Sequence, residues 1–349
     1  MTKLSHEPDV VRMAEGLRLD WQKDAVGEII RHCHKKIAGW LKGNVIGNLV
    51  ELEALVCQNL RLVFEEVRSD EDLGRVVREY VSLGEPVFAT LGGQLSEDTY
   101  AVLIERRMVD GSSPDRYVAV IDCRGTKGAR RFFSRWHEIA HLLTLTRQLE
   151  LPFHRSGKNR PPLERLMDTI AGDIGFYDPI FRPALEAEVR SQKKLSFEGV
   201  NRLRESVCPT ASFQATLIAG VSRTTVPAIY LEAGVAYKKN EKAEIESRQL
   251  DLIPRDRPTP QLRAVVVVPN NAATNMGLVL HRNMLVPEES VISTHFAKTC
   301  GLETSDIEQA AEDLAIWTHS DGSVVCRERT IIEVCRIGDR VISLIRRVS

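Results

Sequence analysis

No apolar run in this chain of 349 residues approaches the roughly 18–20 needed to span a bilayer. The longest β-type run, AVVVV at 264–268, stops at Pro269 and reads as a buried strand. The N-terminus, MTKLSHEPDVVRMAEG, lacks the apolar core and cleavage site of a signal peptide. An excess of one charge sign is also missing: 47 basic residues against 48 acidic ones leave a formal charge of −1. That balance gives no electrostatic case for nucleic acid or an anionic membrane as main partner. The seven cysteines are an odd number with no C-x-x-C pair, which suits free thiols in a reducing compartment. A cytoplasmic protein is expected. Internal repeats and low-complexity tracts are absent as well.

What is present is the composition of a soluble globular protein, 43% hydrophobic and 27% charged, long enough for two or three domains. Val26, Ile29, Ile30, Cys33, Ile37, Trp40 and Leu41 fall at helical spacing over 21–41, and further helices are expected at 49–64 and 72–81. After Gly84 the pattern turns to strands: PVFATL, then TYAVLIERR and RYVAVIDCRG around DGSSPD, the last two read as a hairpin. The apolar helix FFSRWHEIAHLL follows at once. A loop over 151–162 leads to a second helix marked by Leu163, Leu166, Met167, Ile170, Ala171 and Ile174, with Pro161 and Pro162 suited to its first turn. Residues 183–222 look helical with a break at Pro209, PAIYLEAGVAYKK (227–239) reads as a strand, and the charged stretch 238–257 reads as a linker. Strand patterns over 262–349, one helix at 304–316 and a hairpin through SDGS (320–323) describe a separate domain. The expected fold class is α+β. Its expected parts are an N-terminal helical region (1–84), a core (85–182), a helical segment (183–240), a linker (241–261) and a small C-terminal α/β domain (262–349).

Within FFSRWHEIAHLL, His137 and His141 stand four apart and project from nearly the same helix face. Both imidazoles can reach one ion of zinc's size. Glu138, one position on, points beside such an ion, where a general base takes a proton from water. Nine histidines make a chance H-E-x-x-H a matter of about two chains in a hundred of this composition. Phe132, Phe133, Trp136, Ile139, Ala140, Leu142 and Leu143 would bury the helix on most sides, so two histidines and a glutamate inside it need partners. A metal supplies one for all three; local hydrogen bonding at the edge of the core is the plainer alternative. In PPLERLMDTIAGDIGF, Glu164 is the candidate third ligand, and Asp168, one turn on, can fix the tautomer of a liganding histidine. By spacing alone they are equally an ordinary solvated acidic face.

VAVIDCRGTKGARRFFSRWHEIAHLL followed by LERLMDTIAGDIGFYDP resembles the ImmA/IrrE family of zinc-dependent metallopeptidases over residues 117–180. The resemblance implies a zincin-like core at 85–182, with His137, His141 and Glu164 as metal ligands, Glu138 as base and Asp168 on the family's Asp/Asn position. Ala140 stands where the family often has Gly, and Tyr177 replaces a common proline. LSFEGVNRLRESVCPTASFQATLIAGVS is weakly similar to a helical segment, helix-turn-helix-like in some members, that can precede a sensor-like domain. Here Arg202 and Arg204 are accompanied by Glu198 and Glu205, which favours packing over DNA contact.

The resemblance thus implies a zinc endopeptidase, with manganese the other metal the donor set admits, cutting a regulatory protein such as a helix-turn-helix repressor at a limited site. The alternative class is a metal-containing regulatory protein that binds and cleaves nothing, which would have no need of Glu138. Residues 117–123 are expected as an edge strand onto which an extended substrate adds. His32, Cys33 and His34 are read as a core-and-surface helix and Cys123 as a buried thiol. His154 is read as an exposed loop residue rather than an oxyanion stabiliser, and His281, His295 and His319 as isolated.

Overall fold

The computed structural model describes residues 3–96, 98–106, 115–145, 153–156, 161–238, 241, 258–319 and 321–348. The chain is mixed α and β with two sheets, and it divides into two compact units: Met1–Ala184 with Arg204–Ser212, and Leu185–Leu203 with Phe213–Ser349.

The first unit begins with α1 (Pro8–Gly16), α2 (Ala25–Leu41) and α3 (Leu49–Leu60). α2 buries Val26, Ile29, Cys33 and Ile37, the stripe its spacing predicts. α3 starts on Asn48, whose side chain accepts from the N–H groups of Val50 and Glu51. It ends on Arg61, held left-handed at φ 55°. That residue turns the chain into β1 (Leu62–Val67), so the helix expected over 49–64 stops at Leu60. α4 (Asp70–Ser82) opens with a capping box between Ser69 and Asp72. PVFATL, expected as a strand, is a 3₁₀ turn (Pro86–Thr90) running into α5 (Leu91–Gln94). Pro86 has no N–H for a ladder, and Phe88 and Leu91, three apart, are both fully buried, which is helical rather than alternating spacing.

β2 (Thr99–Glu105) and β3 (Tyr117–Asp122) form the expected antiparallel pair; the turn between them lies, but for Asp115, outside the described residues. With β4 (Phe153–Ser156), which falls inside the stretch expected to be loop, the sheet order is β1-β3-β2-β4. β3 is parallel to β1 on one side and antiparallel to β2 on the other. It is an interior strand, which overturns the expectation that substrate adds to 117–123: its backbone groups are already paired. All six of its residues are buried, as a strand covered on both faces requires. Val118 and Val120 join Val102, Ile104, Val76, Tyr80, Phe88 and Leu91 in one core cluster. By alternation Ala119 and Ile121 face the other way, toward α6 (Arg131–Leu143), which packs on β2 and β3 and lies beside α7 (Pro162–Ile174).

β3 ends on Asp122, whose side chain is wholly buried beneath Arg124 and Lys127. It accepts from Arg124 Nε (2.9 Å) and from Lys127 Nζ (2.7 Å). Burial alone would raise its carboxyl; the bonds from Arg124 and Lys127 outweigh this and hold it below the ordinary value. A lowered native pKa adds stability that is full above the ordinary carboxylate pKa and lost as pH falls through the lowered one. Asp122→Ala should cost about 1–3 kcal/mol, since it removes the buried anion that two cations share. Arg124 keeps Asp70 and the Leu95 carbonyl, and Lys127 keeps the carbonyls of Ser96 and Thr99. The variant's urea midpoint should fall near neutrality and then decline less steeply than wild type in acid.

Three helices follow: α8 (Asp178–Gln192), α9 (Phe197–Val207) and α10 (Phe213–Arg223). Arg202 is ion-paired to Glu188 and Glu198. The second unit's antiparallel sheet contains β5 (Ala228–Ala236), β6 (Gln261–Pro269), β7 (Glu308–Asp313), β8 (Arg329–Ile337) and β9 (Arg340–Arg347) in the order β6-β5-β9-β8-β7. β5 pairs with both β6 and β9. The C-terminal domain therefore does not start at 262, and the charged stretch joins adjacent strands of one sheet instead of separating domains; most of that stretch lies outside the described residues. Two helices, α11 (Asn271–Asn275) and α12 (Val291–Lys298), sit between β6 and β7. The helix expected at 304–316 is β7 and a 3₁₀ turn (Leu314–Ile316). Its Glu- and Ala-rich sequence favours helix, but pairing with β8 and burial of Glu312 prevail. Glu312 accepts from Ser290 Oγ, Val291 N and Trp317 Nε1, tying α12 to the core around Trp317. Thr318 bridges Val324 around the expected SDGS turn, of which Ser320 is outside the described residues.

Candidate metal centre

α6 and α7 run side by side so that Phe133 approaches Gly172, His137 meets Asp168, and His141 meets Glu164. Gly175, just past α7, has no room for a Cβ: one built there would lie 2.6 Å from Ala171 O and 3.1 Å from the Trp136 ring. This contact lets the end of α7 seat on the fully buried Trp136. The pairing brings together the residues singled out by sequence. His137, Glu138 and His141 are buried on α6, while the side chains of Glu164 and Asp168 on α7 keep 17% and 18% exposure.

His137 Nε2 lies 3.1 Å from Glu164 Oε2 and 3.2 Å from His141 Nε2, and His141 Nε2 lies 3.3 Å from Glu164 Oε1. A tetrahedral ion with bonds of 2.0–2.1 Å sets its ligand atoms about 3.3–3.4 Å apart. The three separations match that geometry. The proton count points the same way. His137 Nδ1 lies 3.0 Å from Asp168 Oδ1, and a carboxylate only accepts, so Nδ1 is the donor. A neutral imidazole then has a lone pair at Nε2, aimed at a carboxylate oxygen and at a second imidazole nitrogen. A cation among the three, or a second proton on His137, removes that conflict. Burial would raise the Glu164 carboxyl; its contacts to His137 and His141 outweigh this and hold it well below the usual range. His137, His141 and Glu164 form a group that could hold a metal ion, the only such group of three among the described residues.

Other residues hold α6 in place, and sequence reasoning did not single them out. Arg135 is paired with Glu53 of α3 and Glu66 of β1, and its guanidinium stacks 4.0 Å from the Phe64 ring centre. Lys36 of α2 donates to the carbonyl of Leu143 (2.7 Å), placing a cation at the C-terminus of the helix. His34, beside the buried Cys33, pairs with Asp173 and stacks on Tyr177, a structural role consistent with its reading. All seven cysteines are free thiols. The backbone of His154 is in β4, opposite Val102, and its side chain lies outside the described residues. His295 is satisfied by Glu308 and Ser305. His281 and His319, expected to be isolated, have ring centres 5.5 Å apart.

Removing Asp168 should loosen the metal without abolishing its site, because Asp168 orients a ligand and is not one. Asp168→Ala is expected to lower metal affinity about 10–100-fold in chelator competition. Unchanged affinity would show that His137 needs no such partner. In comparisons with known proteins, no family model and no curated protein matches this chain. No helix among the described residues is long and apolar enough to cross a membrane.

Proposed function

We propose that the chain is a zinc-dependent endopeptidase of the ImmA/IrrE kind, with a zincin-like core, acting in the cytoplasm on a regulatory protein such as a helix-turn-helix repressor. The observation that supports this reading is the convergence of His137, His141 and Glu164 at tetrahedral spacing, with the buried carboxylate of Glu138 one residue from a ligand. Two nitrogens and one carboxylate suit zinc, and manganese is the other ion the set admits. Bound there, zinc supplies a Lewis acid that lowers the pKa of water and polarises a carbonyl. Glu138 takes the proton as water attacks the scissile carbonyl and returns it to the leaving amine. Asp168 holds His137 with its Nδ1 proton outward and its Nε2 lone pair inward. With β3 interior, an extended substrate is left the sheet's outer strands. β4, between α6 and α7 in the chain, is the one proposed to receive it.

Elemental analysis of the purified protein should find about one zinc per chain. Co-expression with the proteins encoded beside it should yield fragments of one of them. Protein free of metal, or fragments that persist after stripping by chelator, would refute the reading.

A further inference from the structure

The second unit contains a cavity of about 580 Å³ whose lining among the described residues includes Lys238, Arg263, His281, Arg282 and His319 and no carboxylate. We propose that it binds the phosphate group of a small molecule, a function independent of the peptidase reading.

Arg263 carries the argument. It lies on β6 between Leu262 and Ala264, which belong to the core side of the sheet, so its side chain takes the opposite face. It is nevertheless only 3% exposed. Nη1 donates to Asn283 O (3.1 Å) and Nη2 to Gln261 Oε1 (2.6 Å), both neutral, while Nε is buried with no partner among the described residues. A buried guanidinium in this state is costly, because a desolvated charge needs an opposite charge or a full set of acceptors. The unit's other deeply buried arginines have them: Arg346 is paired with Glu333, and Arg336 has an oxygen acceptor on each nitrogen.

The surroundings are built around this side chain. Residues 281–285 run along β6, with Ala264 N–H donating to Met284 O and Asn283 N–H donating to Ala264 O. Asn283 has φ 73°, a left-handed conformation asparagine tolerates, and this turn presents its carbonyl to Arg263. Arg282 and Lys238 stand exposed at the rim, and neither has a side-chain ion pair among the described residues. Glu241 accepts from the backbone N–H of Lys238, and Asp321 from Ser323. Three cations around one cavity, none with a side-chain ion pair among the described residues, suit a tetrahedral oxyanion, which guanidinium groups bind through paired N–H donors. The volume exceeds that of one such ion and falls within the range of small-molecule pockets. Met284 and the rings of His281 and His319 offer the remaining space to an apolar or flat moiety. The phosphate can belong to a nucleotide or be the free ion.

The full-length protein should be titrated calorimetrically with inorganic phosphate, AMP and adenosine. Both phosphate-bearing probes should bind and adenosine should not. AMP binding the more tightly identifies a nucleotide as the source, and equal affinities identify the free ion. Arg263→Gln should weaken binding about tenfold or more. Because that position is buried, the rim variant Lys238→Ala/Arg282→Ala serves beside it. It should keep the wild-type melting temperature without ligand and bind severalfold more weakly. No binding at millimolar phosphate or AMP, adenosine binding as well as AMP, or wild-type affinity in a folded Arg263→Gln protein overturns the proposal. If Arg263→Gln fails to fold, wild-type affinity in the rim variant does so.

Discussion

Glu138→Gln is expected to keep its full complement of metal and to lose cleavage by roughly 10²–10⁴-fold. The side chain is buried within α6 and is not one of the three converging groups. Glutamine preserves its volume and shape, so the helix and the ligand atoms four residues apart on it should not move. What glutamine cannot do is take a proton from water. Metal content by elemental analysis and cleavage of a co-expressed substrate therefore separate in this variant. Equal turnover in mutant and wild type would remove Glu138 from the mechanism; joint loss of metal and activity would make it structural.

Much of this site was legible because its spacing is local. His137 and His141 share a face of α6 whatever the rest of the fold does, and Glu164 and Asp168 share one on α7 for the same reason. The apolar stripe from Leu166 to Ile174 then fixes which face of α7 turns inward. The supports of α6 were not legible in the same way. Nothing in the order of residues pairs Arg135 with Glu53, 82 positions away, or Lys36 with the carbonyl of Leu143, 107 positions away. Those partners are selected by tertiary packing alone.

The fold shows the same division. α2, α4, α7 and the β2–β3 pair follow from periodicity, caps and turn residues. β1 was hidden because Leu62, Val63 and Phe64 continue the apolar count of α3, and the break rests on a left-handed Arg61 that carries no glycine signature. One missed strand had a large consequence: β1 covers the free side of β3 and transfers the substrate question to another edge. The same kind of error displaced a boundary in the second unit. A charged, proline-containing stretch looks like a domain linker from composition, yet β5 before it and β6 after it are hydrogen-bonded neighbours.

Glu164→Ala should empty the metal site. Wild type offers two imidazoles and one carboxylate within 3.1–3.3 Å of one another. Without Glu164 the two nitrogens remain, on one helix, with no negative charge among the converging atoms. Structural zinc sites with four ligands bind with about 10–16 kcal/mol in all, or roughly 2.5–4 kcal/mol per ligand, so loss of one ligand weakens affinity by about 10²-fold or more. Metal bound only to the native state stabilises it by mass action, which gives a second readout. The wild-type melting temperature should fall on adding chelator, and that of Glu164→Ala should not respond. His137→Ala and His141→Ala should behave alike. The contrast with Asp168→Ala is the sharper test, because both carboxylates lie on α7 one turn apart and both touch His137. If Glu164→Ala retains metal while Asp168→Ala loses it, the two have exchanged roles. The lone-pair direction assigned to His137 would then be reversed with them.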